Sequence, residues 1–106
     1  TAQMVVGAIG VAKENNVLWF GTQASQTSLA PEVVVANQIY DWSGVILQMI
    51  DLIGKGTLGG QSFAITLENK GLYIEFNPAY NLPAEVKQLA EATINAIVTG
   101  AINVAP

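Results

Sequence analysis

Apolar positions repeat at helical spacing in three stretches of the chain and cluster in short runs between them. Met4, Val5, Ala8, Ile9 and Ala12 form one stripe and predict a helix over residues 2–15, closed by Asn15 and Asn16. Gly7 and Gly10 weaken it by about 1 kcal/mol each relative to Ala. Trp42, Val45, Ile46, Met49, Ile50 and Ile53 follow the i, i+3, i+4, i+7, i+8, i+11 pattern, the clearest helix in the sequence, ending at Gly54 or Gly56. Val86, Leu89, Ala90, Thr93 and Ile97 mark a final helix, with Pro83 at its first turn and Gly100 after its end.

Between these helices the runs are short and strand-like. Val17-Leu18-Trp19-Phe20 is a continuous apolar run between a helix and a polar loop, which predicts an interior strand buried on both faces of a parallel sheet. Val33-Val34-Val35-Ala36 predicts a second strand continuing toward Ile39. Gln61–Leu67 and Leu72–Phe76 flank Glu68-Asn69-Lys70-Gly71 and predict a hairpin. Glu75, between Ile74 and Phe76, is expected on the opposite face from them and exposed. The expected order is α β β α β β α, an α/β fold of two or three layers around a mixed sheet.

Composition narrows the chemistry. Hydrophobic residues make up 51% of the 106 and charged residues 11%, which excludes a disordered chain and leaves apolar surface to be covered by another lobe or chain. The net charge is −4, and the only basic residues, Lys13, Lys55, Lys70 and Lys87, are scattered. A phosphate backbone calls for clustered cations, so no nucleic-acid partner is expected. His and Cys are both absent, which removes the usual transition-metal ligands and the Ser-His and Cys-His nucleophile pairs. We expect neither an enzyme, nor a metal, nor a cofactor. No apolar run reaches the length of a membrane span. Because the chain opens on Thr1 rather than Met, it is expected to be a processed or truncated piece.

Three segments carry candidate binding chemistry. The loop Gly21–Pro31 follows a buried strand, where open α/β sheets bind ligands, and its amides and hydroxyls can both donate and accept hydrogen bonds. An ordinary solvated loop has the same composition. Trp42, beside Tyr40, Asp41 and Ser43, could stack on a planar ligand while Asp41 or Ser43 binds its edge; equally, Trp42 lies on the apolar stripe and reads as core, with Asp41 as the helix N-cap. The tip Glu68–Gly71 closes over a pocket or is a solvated turn.

The stretch Phe20-Gly21-Thr22-Gln23-Ala24-Ser25-Gln26-Thr27-Ser28-Leu29-Ala30-Pro31 resembles the strand and Gly-Val-Asp-Ser-Asp-Gln loop, with its Leu-Ala-Pro ending, of the basic membrane protein family of substrate-binding lipoproteins. Ala12-Lys13-Glu14-Asn15-Asn16-Val17 is similar to that family's helix-to-strand step. Phe76-Asn77-Pro78, Leu82-Pro83-Ala84-Glu85-Val86 and Ile97-Val98-Thr99-Gly100-Ala101-Ile102 are similar to its later segments. The resemblance implies part of a type I periplasmic-binding-protein fold, a mixed, mostly parallel sheet with flanking helices and a hairpin, with residues 1–106 as the C-terminal portion of a two-lobed solute-binding protein. It implies extracytoplasmic capture of a purine nucleoside, a nucleobase or another small polar solute for an ABC importer. The implied partners are the ligand, the N-terminal lobe of the same protein and the importer's membrane subunits, with a lipid anchor on the full-length protein.

Carried over position by position, the resemblance places ligand-binding roles on Gln23, Ser25, Gln26, Trp42, Ser43 and Lys70. Gln23 and Ser25 stand where the family has loop carboxylates, and the Asp at the start of its next helix falls near Ser43 or Gly44. Lys70 stands in a turn one residue shorter than the family's. Gln23 and Trp42 are expected to face one crevice. The alternative is a ligand-sensing or protein-interaction module of the same fold with no transport role.

Overall fold

The computed structural model describes residues 2–104; Thr1, on which the expectation of a processed or truncated chain turned, lies outside the described residues. The elements are α1 (Ala2–Glu14), β1 (Trp19–Gln23), a 3-10 turn over Thr27–Leu29, β2 (Val34–Tyr40), α2 (Ser43–Gly54), β3 (Leu72–Phe76) and α3 (Ala84–Val98). The sheet has the order β1-β2-β3, with β1 parallel and β2-β3 antiparallel. Val35 is the extra residue where the register steps from Trp19 opposite Val34 to Phe20 opposite Ala36.

β2 is the centre of the molecule. Val33, Val34, Val35 and Ala36 are all buried, as a β-branched run between two neighbouring strands should be. On one face α1 lays Ile9 against Ala30, Val33 and Val34, with Val5 and Trp19 packed at the margin. Of the predicted α1 stripe only Ile9 and Ala12 are buried and Val5 half-buried; Met4 and Ala8 face outward. α1 ends as its sequence requires. Asn16 takes a positive φ of 53°, and the Val17 N–H reaches back to the Ala12 carbonyl at 2.8 Å, which closes the helix in the Schellman manner. Lys13 then bridges to Glu32 at 2.6 Å, tying α1 to the turn that enters β2.

Several expectations are corrected. The run Val17–Phe20 is not an interior strand: the strand starts two residues later and lies at the sheet edge, with Val17, Leu18 and Phe20 exposed. An apolar run reports that its side chains avoid water, and a strand whose cover lies elsewhere has the same signature. The hairpin does not form either. Residues 61–66 run as coil and turn, and only Leu72–Phe76 pairs, with β2 rather than with the preceding segment. Asn69 is the reason. Its Oδ1 accepts the N–H groups of Thr66 and Gly71, both at 2.9 Å, and its Nδ2 donates to the Ala64 carbonyl at 2.8 Å. The side chain thereby satisfies backbone groups that a strand ladder would have used. Glu75 does lie opposite Ile74 and Phe76, but it is half-buried, and its carboxylate accepts from Asn37 at 3.0 Å. Among the described residues there are three strands, one parallel pair and no hairpin, so the mostly parallel sheet expected of a type I periplasmic-binding-protein fold is replaced by a small mixed sheet.

The last two helices form where their periodicity places them, but their predicted apolar faces are not buried. In α3 the inward residues are Ala90, Ile94, Ala96 and Ile97, while Val86, Leu89 and Thr93 are exposed. In α2 only Val45 is buried and Leu52 half-buried.

Candidate functional site

The parallel pairing of β1 and β2 brings their carboxyl ends to one edge of the sheet, with Gln23 beside Ile39. The loop after β1 and the start of α2, which follows β2, therefore share that edge. This juxtaposes the two segments that the sequence singled out.

The loop is held by a polar network centred on Asn37, whose side chain is 1% exposed. Asn37 Oδ1 accepts the Gln26 backbone N–H at 3.0 Å, and its Nδ2 donates to Thr27 Oγ1 at 2.9 Å and to Glu75 at 3.0 Å. Gln26 is committed inward as well. Its Oε1 accepts from the Trp19 indole N–H at 2.8 Å, and its Nε2 donates to the Thr22 carbonyl at 3.0 Å. Gln26 is thus the staple of the loop, its amide occupied on both sides by the protein itself. Gly21 is buried beside it, where a Cβ would land on Asn37 Oδ1. An Asn directly after the buried run Val33–Ala36 was the signal for this network, since a buried amide must find partners.

Gln23 and Ser25 are exposed at the end of β1. Gln23, at a φ of 77°, lines a groove of about 390 Å³ with Val5, Val6, Thr22 and Leu29. Trp42 is 47% exposed, so it is not a core residue; it occupies the N-cap position of α2, and its carbonyl accepts the Ile46 N–H. Ser43 is exposed in the first turn of α2, and its N–H donates to Asp41 Oδ1 at 2.9 Å. Asp41 therefore caps α2 from one position further out than expected. Lys70, at a φ of 60°, lines a separate polar cavity of about 190 Å³ with Asp41, Gly44, Gln48 and Asn69. The six predicted site residues thus divide. Gln23, Ser25 and Gln26 gather at β1, Trp42 and Ser43 open α2, and Lys70 sits across the cavity from the Asp41 cap.

The Ser43 hydroxyl and N–H hold the Asp41 carboxyl below its ordinary value of 3.8. A lowered folded value means that the cap's contribution is present above that ordinary value and is lost as the pH falls through the folded one. Acid titration by circular dichroism is expected to show helix loss in this window, reduced in Asp41→Ala.

Two grooves are apolar. One, of about 530 Å³, lies between the open sheet face at Phe20, Ile74 and Phe76 and the inner side of α3 at Ala90 and Ile94. The other, of about 250 Å³, runs along α2 beneath Leu58 and Phe63. Among the described residues no cluster of three or more His, Cys, Asp or Glu could hold a metal, and no helix is long and apolar enough to cross a membrane.

No protein-family model matches the chain, and no curated protein matches it. A solved structure does: a transcriptional activator of the comK gene from Bacillus halodurans, at a TM-score of 0.74 and 13% sequence identity over 94% of this chain. The chain spans 35% of that structure's length. At this identity the likeness is one of fold. These findings overturn the identification with the basic membrane protein family, and with it the periplasmic solute receptor, the nucleoside ligand, the importer partners and the alternative solute sensor of the same fold. The expectation of no nucleic-acid partner falls with them. The chain is similar in fold to about a third of a transcriptional activator.

Proposed function

We propose that the chain is the protein-contact portion of a transcription regulator, and that α2 is the element that meets the partner. The observation that carries this reading is α2 itself. Val45, Ile46, Leu47, Met49, Ile50, Leu52 and Ile53 make it apolar over more than half of its circumference, with Gln48 and Asp51 on the remaining side, yet Ile46, Leu47, Met49, Ile50 and Ile53 are all exposed. A large exposed apolar patch marks an interaction surface. The likeness in fold to a transcriptional activator supports a regulatory setting. Three of the four lysines, Lys13, Lys55 and Lys87, are paired with Glu32, Asp51 and Glu91, which fits these residues to a protein surface better than to a phosphate backbone. We assign the chain no catalytic step.

The test is Ile50→Asp, alone and with Ile46→Asp, compared with deletion of the gene. Both side chains are exposed, so stability is expected to stay within about 0.5 kcal/mol of the original protein. The transcript profile is expected to shift as it does in the deletion. A deletion that alters no transcript overturns the regulatory reading. A folded Ile50→Asp protein that regulates normally, or tight, salt-sensitive binding of the purified chain to duplex DNA, overturns the role of α2.

A further inference from the structure

We propose that β1 is the seam of a symmetric dimer, in which Trp19–Gln23 of one copy pairs antiparallel with the same strand of a second copy. The inference is independent of the regulatory reading. It begins with the sheet order, β1-β2-β3, which leaves β1 with a strand neighbour on one side only among the described residues. An open edge is a template for pairing, and proteins blunt it with charges, prolines or bulges on the edge strand. Trp19-Phe20-Gly21-Thr22-Gln23 has no charge and no proline, the extra residue at its register step, Val35, belongs to β2, and its left-handed backbone is confined to the last residue, Gln23. The opposite edge strand, β3, carries Glu75.

The surroundings of β1 suit a second copy. Phe20, 65% exposed, stands on one face of the strand, and Val6 and Leu29 stand exposed around the groove that adjoins it. None of the residues lining that groove is charged, so two chains that each carry −4 can meet there without placing like charges together. One self-complementary patch is what a two-fold axis requires, and strands related by such an axis run antiparallel. The areas agree. A compact monomer of 11.2 kDa exposes about 5,700 Å² by the scaling of surface with mass, whereas this chain exposes 7612 Å². The excess is spread over the molecule, the exposed face of α2 included, and leaves room for the roughly 800 Å² per partner that a stable interface buries.

Light scattering and sedimentation equilibrium on the 106-residue protein are expected to give twice the mass of one chain. Those amide hydrogens of residues 20–23 that point away from β2 are expected to exchange slowly in that species; the Trp19 N–H is left out because it already donates to the Val33 carbonyl at 2.9 Å within one chain. Thr22→Lys and Phe20→Lys, which install the charge that edge strands ordinarily carry, should return the mass to that of one chain with an unchanged circular dichroism spectrum, and should release those amides. A single-chain mass at every attainable concentration overturns the proposal, as does β1 protection that appears only when a different polypeptide is added. Should the variants fail to fold, fast exchange at those amides of residues 20–23 in the unmodified dimer overturns it alone.

Discussion

Gly21→Ala is expected to be the most destabilising single methyl that can be added to this chain. Gly21 is buried, and the new Cβ would fall on Asn37 Oδ1, with Gln26 Cδ and Oε1 3.1 Å away. Neither neighbour can move cheaply. Asn37 joins the Gln26 N–H, the Thr27 hydroxyl and the Glu75 carboxylate, and Gln26 in turn holds the Trp19 indole. Forcing in a methyl costs about 1–3 kcal/mol of overpacking, and each buried polar group left unpaired adds about 1–3 kcal/mol. A total of roughly 3 kcal/mol or more is a large share of the 5–15 kcal/mol that stabilises a typical domain. Urea unfolding should show it as a lower midpoint. Gly44→Ala is the control: nothing lies within 4 Å of its Cβ position. Equal midpoints for the two variants would show that the network does not hold the β1 loop.

Asn77 is expected to be nearly as sensitive, and in a way that depends on pH. It is buried where β3 ends, and its Nδ2 donates to the carbonyls of Val34 at 2.6 Å and Pro31 at 2.8 Å while its Oδ1 accepts the Ala79 N–H at 2.9 Å. Asn77→Ala leaves three backbone groups without their partner and should cost about 2–4 kcal/mol. Asn77→Asp keeps the shape but turns a donor into an acceptor facing two carbonyls. Its carboxyl should be held protonated in the folded state, so its folded pKa lies above its unfolded one. The variant is therefore expected to be most stable in acid and to lose stability as the pH rises through the folded value. Thermal melts at neutral and acid pH distinguish the two variants: the Asp melt should rise toward acid relative to the Ala melt. A parallel response of both would remove Asn77 from this role.

Some of this was legible locally. The Asn15-Asn16 helix stop, the Val33–Ala36 strand and the span of α2 follow from spacing and backbone preference, which act within a few residues. The partners of Glu75 and Asn77 were not legible, because Asn37 lies 38 positions before the first and Pro31 lies 46 before the second. The hairpin failed for a similar reason. Asn69 could have supported a hairpin loop, and only its bonds to Ala64, Thr66 and Gly71 show that it closes a turn of its own. Of the candidate residues, the sequence placed Gln23, Ser25 and Gln26 together in the loop after the first strand, but Gln26 looked the same whether its amide faced a ligand or the Trp19 indole.

The amino-acid sequence by itself determined where the three helices and the central strand form, that the chain is too apolar to stand disordered, and that it carries no imidazole, thiol or basic cluster. Those properties belong to residue types and their periods. Only the tertiary structure decided that β1 is an edge, that α2 and much of α3 turn apolar side chains outward, and that the polar loop after β1 is stapled to Asn37. An apolar period states that a surface must be covered, but what covers it depends on strand order and on the distances between remote segments.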